Sequence, residues 1–76
     1  MHIRYTHHAR QRMLERKVSE TQVELALEQP DELTMGEQDE WIAIRTYGNR
    51  RIQVVYGDLD DSAVLIYTVI SVRILR

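Results

Sequence analysis

The chain has 76 residues, 43% of them hydrophobic and 29% charged, with no cysteine and a formal net charge of −2. A chain of this length buries only about 60% of its unfolded surface, and without cysteine it has neither a disulfide nor a thiolate metal site to staple it. The composition therefore reads as one small domain over residues 1–76, with dimerisation as the further support that a core of this size can draw on.

The balance of charge argues against broad coating of nucleic acid, but it says nothing against a local basic site. Residues 1–17 carry five Lys/Arg and one acid, residues 18–40 eight acids and no Lys/Arg, and residues 41–76 five Lys/Arg and three acids. The charged start is followed by no apolar run of the kind a signal peptide needs. The longest apolar stretch, 63–70, is interrupted by Tyr67 and Thr68 and is too short to cross a bilayer. A cytoplasmic chain with no membrane contact is expected.

In chain order, residues 2–5 form a candidate short strand. Thr6 is positioned to cap a helix running to about Lys17. On that helix His8, Arg12 and Arg16 fall at about 0°, 40° and 80°, a single polar stripe. Ala9 and Met13 follow at about 100° and 140°, so the stripe borders the core. Ser19-Glu20-Thr21-Gln22 is a capping box. The second helix then places Val23, Ala26 and Leu27 at helical spacing and ends at Gln29-Pro30, because proline disfavours helical geometry in the residue before it. About one residue, Val18, joins the helices, which predicts an angled or antiparallel hairpin.

After Pro30 the pattern changes to strand. Residues 33–36 suggest a short strand, and 41–47 and 50–56 flank Gly48-Asn49, a strong hairpin signal. Opposing Tyr47 to Arg50 pairs Arg45 with Ile52, Ala43 with Val54 and Trp41 with Tyr56, a register that puts a mostly apolar set on one face. Residues 57–62 read as a polar turn, followed by a long strand from about Ala63 to Ile74. The predicted fold is α+β, with two N-terminal helices packed on one face of a three- to four-stranded antiparallel meander.

The stripe of His8, Arg12 and Arg16 is the first candidate site. Imidazole titrates near neutrality and guanidinium binds phosphate through paired hydrogen bonds. Metal-free RNA cleavage needs a base for the 2′-hydroxyl, cations for the charge building on phosphorus and an acid for the leaving oxygen. The structural alternative has His8 hydrogen-bonded to a strand, with Arg12 and Arg16 paired to acids of the 20–40 block. Arg45 shares a sheet face with Trp41 and Ala43, so it must find a partner or line a pocket. Arg50 and Arg51 beside the tight turn either protect a sheet edge or contact phosphate. Trp41, Tyr47 and Tyr56 either stack on bases or fill core.

His2, His7 and His8 lack zinc-protease spacing, so no metal or other cofactor is expected. A glycine-rich phosphate loop and a Gly-x-Ser-x-Gly motif are both absent, which excludes nucleotide triphosphate binding and serine-hydrolase chemistry. The acidic block reads as a solvated surface, a mask for the basic surface, or a dock for a basic partner.

Taken as a pattern, His8-Ala9, Arg12-Met13, Arg16, Val18-Ser19, Val23, Leu27 and Pro30 resemble the small bacterial family named domain of unknown function 4258. That family's segment is His-Ala-x-x-Arg-Met-x-x-Arg followed by a capped helix ending in proline. The resemblance is continuous over about residues 6–31 and thinner later, at Val54-Val55 and Thr68-Val69. Lys17 stands where the family often has glycine, and the last strand continues through Ser71-Val72-Arg73-Ile74 where many members stop or turn.

The resemblance implies a fold similar to RelE-like and MqsR-like toxins, which are metal-independent ribonucleases neutralised by an antitoxin. The expectation is a toxin-like endoribonuclease acting on RNA. His8 would be its base or acid, and Arg12, Arg16 and Arg45 would hold the scissile phosphate. His7, Arg50, Arg51, Tyr56 and Tyr67 are the further candidate RNA contacts. The alternatives are a noncatalytic protein-interaction domain and an RNA-binding module.

Overall fold

The computed structural model describes residues 2–74. In chain order the elements are β1 (His2–Tyr5), α1 (His7–Arg16), α2 (Glu20–Glu28), β2 (Glu32–Met35), β3 (Trp41–Tyr47), β4 (Arg50–Asp60) and β5 (Ala63–Arg73). The strands form one sheet in the order β1-β5-β4-β3-β2. The α+β class and the meander from β2 to β5 match the sequence reading, but the sheet is five-stranded and mixed because β1 runs parallel to β5. Thr6 extends that edge by donating its N–H to the Ile66 carbonyl at 3.1 Å. Pairing between segments about 60 residues apart, with no hairpin between them, leaves no local signal.

Both helix starts follow from side-chain caps. The Thr6 hydroxyl accepts the Ala9 N–H at 2.9 Å. Ser19 and Gln22 close a reciprocal capping box at 3.0 and 3.1 Å. Helix α1 ends at Lys17, which takes the left-handed conformation at φ 55° and ψ 48°, with its N–H turned back to Leu14. Glycine takes that conformation without a Cβ penalty, which gives the Lys17 departure its structural meaning.

The β3–β4 register is the expected one, with Tyr47 opposite Arg50, Arg45 opposite Ile52, Ala43 opposite Val54 and Trp41 opposite Tyr56. The polar segment 57–62 is not a loop as expected. Strand β4 continues through Asp60, and only Asp61 and Ser62 turn. Two bulges, at Tyr67 and Leu59, absorb the mismatch between β4 and β5. At the first, Gly57 leaves room for the Tyr67 ring, whose hydroxyl would lie 2.2 Å from a Cβ at Gly57. A bulge of this kind sharpens local twist and re-aims side chains.

The helices cover one sheet face. Ala9, Met13, Val23 and Ala26 pack with Ala43, Ile52, Val54, Val64, Ile66 and Val69, and Tyr5, Tyr47 and Tyr56 pack around that core. Burial of these apolar surfaces is the main stabilising term. No described helix is long and apolar enough to cross a membrane.

Candidate functional site

Helix α1 delivers its polar stripe as a gradient of exposure. His8 is exposed, while Arg12 and Arg16 are half-buried, because the stripe turns toward the sheet as it approaches the C-terminus of the helix. Neither His7 nor His8 makes a side-chain hydrogen bond among the described residues. Arg12 donates to the Glu15 carboxylate at 2.7 Å, and Arg16 lies 3.9 Å from the same carboxylate. The acid that faces both is therefore on their own helix and not in the 20–40 block; Arg10 is the α1 arginine that reaches that block, at Glu20, 3.0 Å away. The hydrogen bond from Arg12 is the main cause of a Glu15 pKa below the ordinary carboxylate value.

At the end of α1 a cleft of about 400 Å³ opens between Arg16, Lys17, Asn49, Arg50, Ser71 and Arg73. Four of these residues are cationic, two offer neutral hydrogen-bonding groups, and no acid is among them. The Arg16 Nη1 is buried without a hydrogen-bond partner among the described residues. Arg50 builds one wall. Its guanidinium donates to the main-chain carbonyls of Arg16 and Lys17 and to the Ser71 hydroxyl. These contacts satisfy carbonyls left open at the helix end and place a cation at the negative pole of α1.

The other candidates lie apart from this cleft. Arg45 caps α2 instead, donating to the Gln29 carbonyl, and its guanidinium carbon sits 5.4 Å from the Tyr47 ring centre. Arg45 therefore does not join His8, Arg12 and Arg16 around one phosphate. Arg51 pairs with Glu32 at 3.1 Å on the sheet face opposite the helices, and Tyr67 covers Gly57 on that face. Tyr56 packs against the core, and burial raises its hydroxyl pKa.

Ser71, Asn49, Arg73 and Lys17 are cleft residues that sequence reasoning did not single out. The signal was the pairing of Arg50 with Arg73 and of Ile52 with Ser71, which is hidden by the bulges.

The model of the family described as "Domain of unknown function (DUF4258)" matches residues 5–71. The chain belongs to this family. The match takes in β2 to β5 as well as the histidine–arginine segment, so Ser71 falls at its last position. No curated protein and no solved structure matches the chain.

Proposed function

We propose that this DUF4258 protein is a toxin-like endoribonuclease that cleaves RNA without a metal, on a fold of RelE-like type. The observation that carries the reading is the cationic cleft, with no acid among its described lining residues, in which the Arg16 Nη1 has no hydrogen-bond partner and meets only the Glu15 carboxylate at 3.9 Å. Phosphate oxygens are the natural acceptors for such a set, because guanidinium groups bind them through paired, charge-assisted hydrogen bonds.

The helix sets the division of labour. His8 and Arg16 are separated by a rise of about 12 Å, with Arg12 about 6 Å from each. Arg12 is thus the guanidinium that shares a phosphate with His8, while Arg16, Lys17 and Arg73 hold a neighbouring one. His8 takes the proton of the 2′-hydroxyl, whose oxygen attacks phosphorus. Arg12 stabilises the added negative charge as the bond to the 5′-oxygen breaks, and that oxygen leaves with a proton from imidazolium or solvent. Engaging Arg12 displaces it from Glu15.

One observation favours a second reading, an RNA-binding module without catalysis. None of the six cleft residues is a histidine or an acid. The test is incubation of folded wild-type, His8→Ala and Arg16→Ala proteins with labelled RNA in EDTA. Cleavage by wild type alone, with His8→Ala still binding RNA, supports the nuclease. Binding that Arg16→Ala weakens, with RNA intact throughout, supports the second reading. Neither binding nor cleavage by wild type overturns both.

A further inference from the structure

Strand β2 ends the sheet on the side away from β5, and among the described residues its outer edge has no strand partner. Within the β2–β3 hairpin the Gly36 N–H donates to the Glu40 carbonyl at 2.8 Å, and the register opposes Thr34 to Ile42 and Glu32 to Ile44. Antiparallel pairing alternates, so Glu32, Thr34 and Gly36 turn their main-chain groups toward β3. The N–H and C=O groups of Leu33 and Met35 therefore point outward, four groups ready for a further strand.

The side chains at this edge match the backbone. All four residues of β2 are exposed, and Leu33 and Met35, which share one face, are each 50% exposed. Exposed edges are ordinarily blunted by lysine, proline, a bulge, charged side chains or shortness; β2 carries no lysine, proline or bulge, and is protected only by its four-residue length and Glu32. Its surroundings are strongly acidic. Residues 18–40 contain eight acids and no Lys/Arg, and among the described residues only Glu20 and Glu32 of that block form ion pairs. Glu28, at the end of α2, and Glu37 and Asp39, at the hairpin tip, are exposed.

We infer that β2 is a docking edge for an extended segment of another protein, with alternating apolar and basic residues, that adds to the sheet as a sixth strand. Main-chain hydrogen bonds to Leu33 and Met35 supply the pairing, apolar side chains cover those two residues, and lysines or arginines meet the acids around them. Charge decides against a second copy of this chain as the occupant, because two β2 edges in antiparallel contact set the Glu37–Asp39 tip of each copy against the acidic Asp31–Glu32 end of the other. The nearest strand of the cleft, β4, lies two strands from the β2 edge, about 9.5 Å, and the added strand extends away from it, so the partner and a phosphate in the cleft can be bound together. The inference does not depend on nuclease activity.

The test uses the whole chain and a fluorescent, end-blocked peptide of alternating valine and lysine, with a valine–glutamate peptide as control. The valine–lysine peptide should bind, weaken with added salt, and shift the Leu33 and Met35 amide resonances. Leu33→Pro removes an outward N–H while leaving the β3 ladder intact and every acid in place. It should lower affinity by at least about tenfold, the equivalent of one good hydrogen bond. Should Leu33→Pro not fold, the Leu33→Lys/Met35→Lys pair blocks the edge without touching the backbone and should have the same effect. Peptide binding that survives the edge variants, equal binding of the valine–glutamate peptide, no binding of either, or a wild-type dimer that the edge variants dissociate would each overturn the inference.

Discussion

The guanidinium of Arg50 donates a hydrogen bond to the main-chain carbonyl of Arg16, 34 positions earlier in the chain. The contact ties the end of α1 to the start of β4 and forms one wall of the cleft between them. Arg50→Ala removes a charged donor from two helix-end carbonyls and from Ser71. A loss of about 2 kcal/mol is expected, read as a lower urea midpoint with an unchanged slope. Arg50→Lys should recover little of it, because a single ammonium cannot reproduce the fork. Wild-type stability in Arg50→Ala would show that the carbonyls are equally well served by water.

In the proposed RNA complex, Glu15 competes with phosphate for Arg12. Its carboxylate is exposed and accepts from Arg12 at 2.7 Å, with Arg16 at 3.9 Å, so removing its charge frees both guanidinium groups. Glu15→Gln should bind RNA several-fold more tightly at low salt, with the gain shrinking as salt is added. Anisotropy titrations at two salt concentrations read this directly. Weaker binding would mean that Glu15 orients Arg12 for the phosphate instead of masking it.

Lys17 holds a left-handed conformation at φ 55°, which costs a side-chain-bearing residue about 1 kcal/mol. Lys17→Gly relieves that cost, partly offset by the greater freedom of glycine in the unfolded chain. A net gain of roughly 0.5 kcal/mol is expected in denaturant unfolding, together with weaker RNA binding from the lost cation. Destabilisation would indicate that the Lys17 side chain contributes more than its backbone costs.

Burial raises the hydroxyl pKa values of Tyr5, Tyr47 and Tyr56 above the ordinary tyrosine value of about 10. A folded-state pKa above the unfolded one contributes stability that is complete below the unfolded pKa and lost as pH rises through the folded pKa. Stability should therefore hold up to about pH 9 and fall above about pH 10. Ultraviolet titration of tyrosinate beside urea unfolding checks both. Tyr47→Phe also removes the 2.8 Å hydrogen bond to the Gln22 carbonyl, and it should shrink the alkaline loss while lowering stability at neutral pH.

Local patterns made much of this molecule legible. Thr6 and the Ser19–Gln22 box act within three residues of the helices they start. The Gly48-Asn49 turn sets the Arg45–Ile52 pairing because strand parity leaves only one register with an apolar face. The histidine–arginine stripe was equally readable, since helical angles follow from spacing alone.

Distant pairing set everything else. The parallel seat of β1 on β5 and the bulges at Leu59 and Tyr67 depend on strands meeting through a shared core, which spacing does not encode. Those pairings bring Ser71 and Arg73 beside Arg50 and the end of α1, and they send Arg45 to α2 and Arg51 to the opposite face. Which residues bear charge and which faces are apolar was written in short-range order. Which charges share a cleft was decided when burial of Ile52, Ile66 and Val69 locked the strands in register, because hydrophobic burial is strong but non-directional and acts on the whole sheet at once.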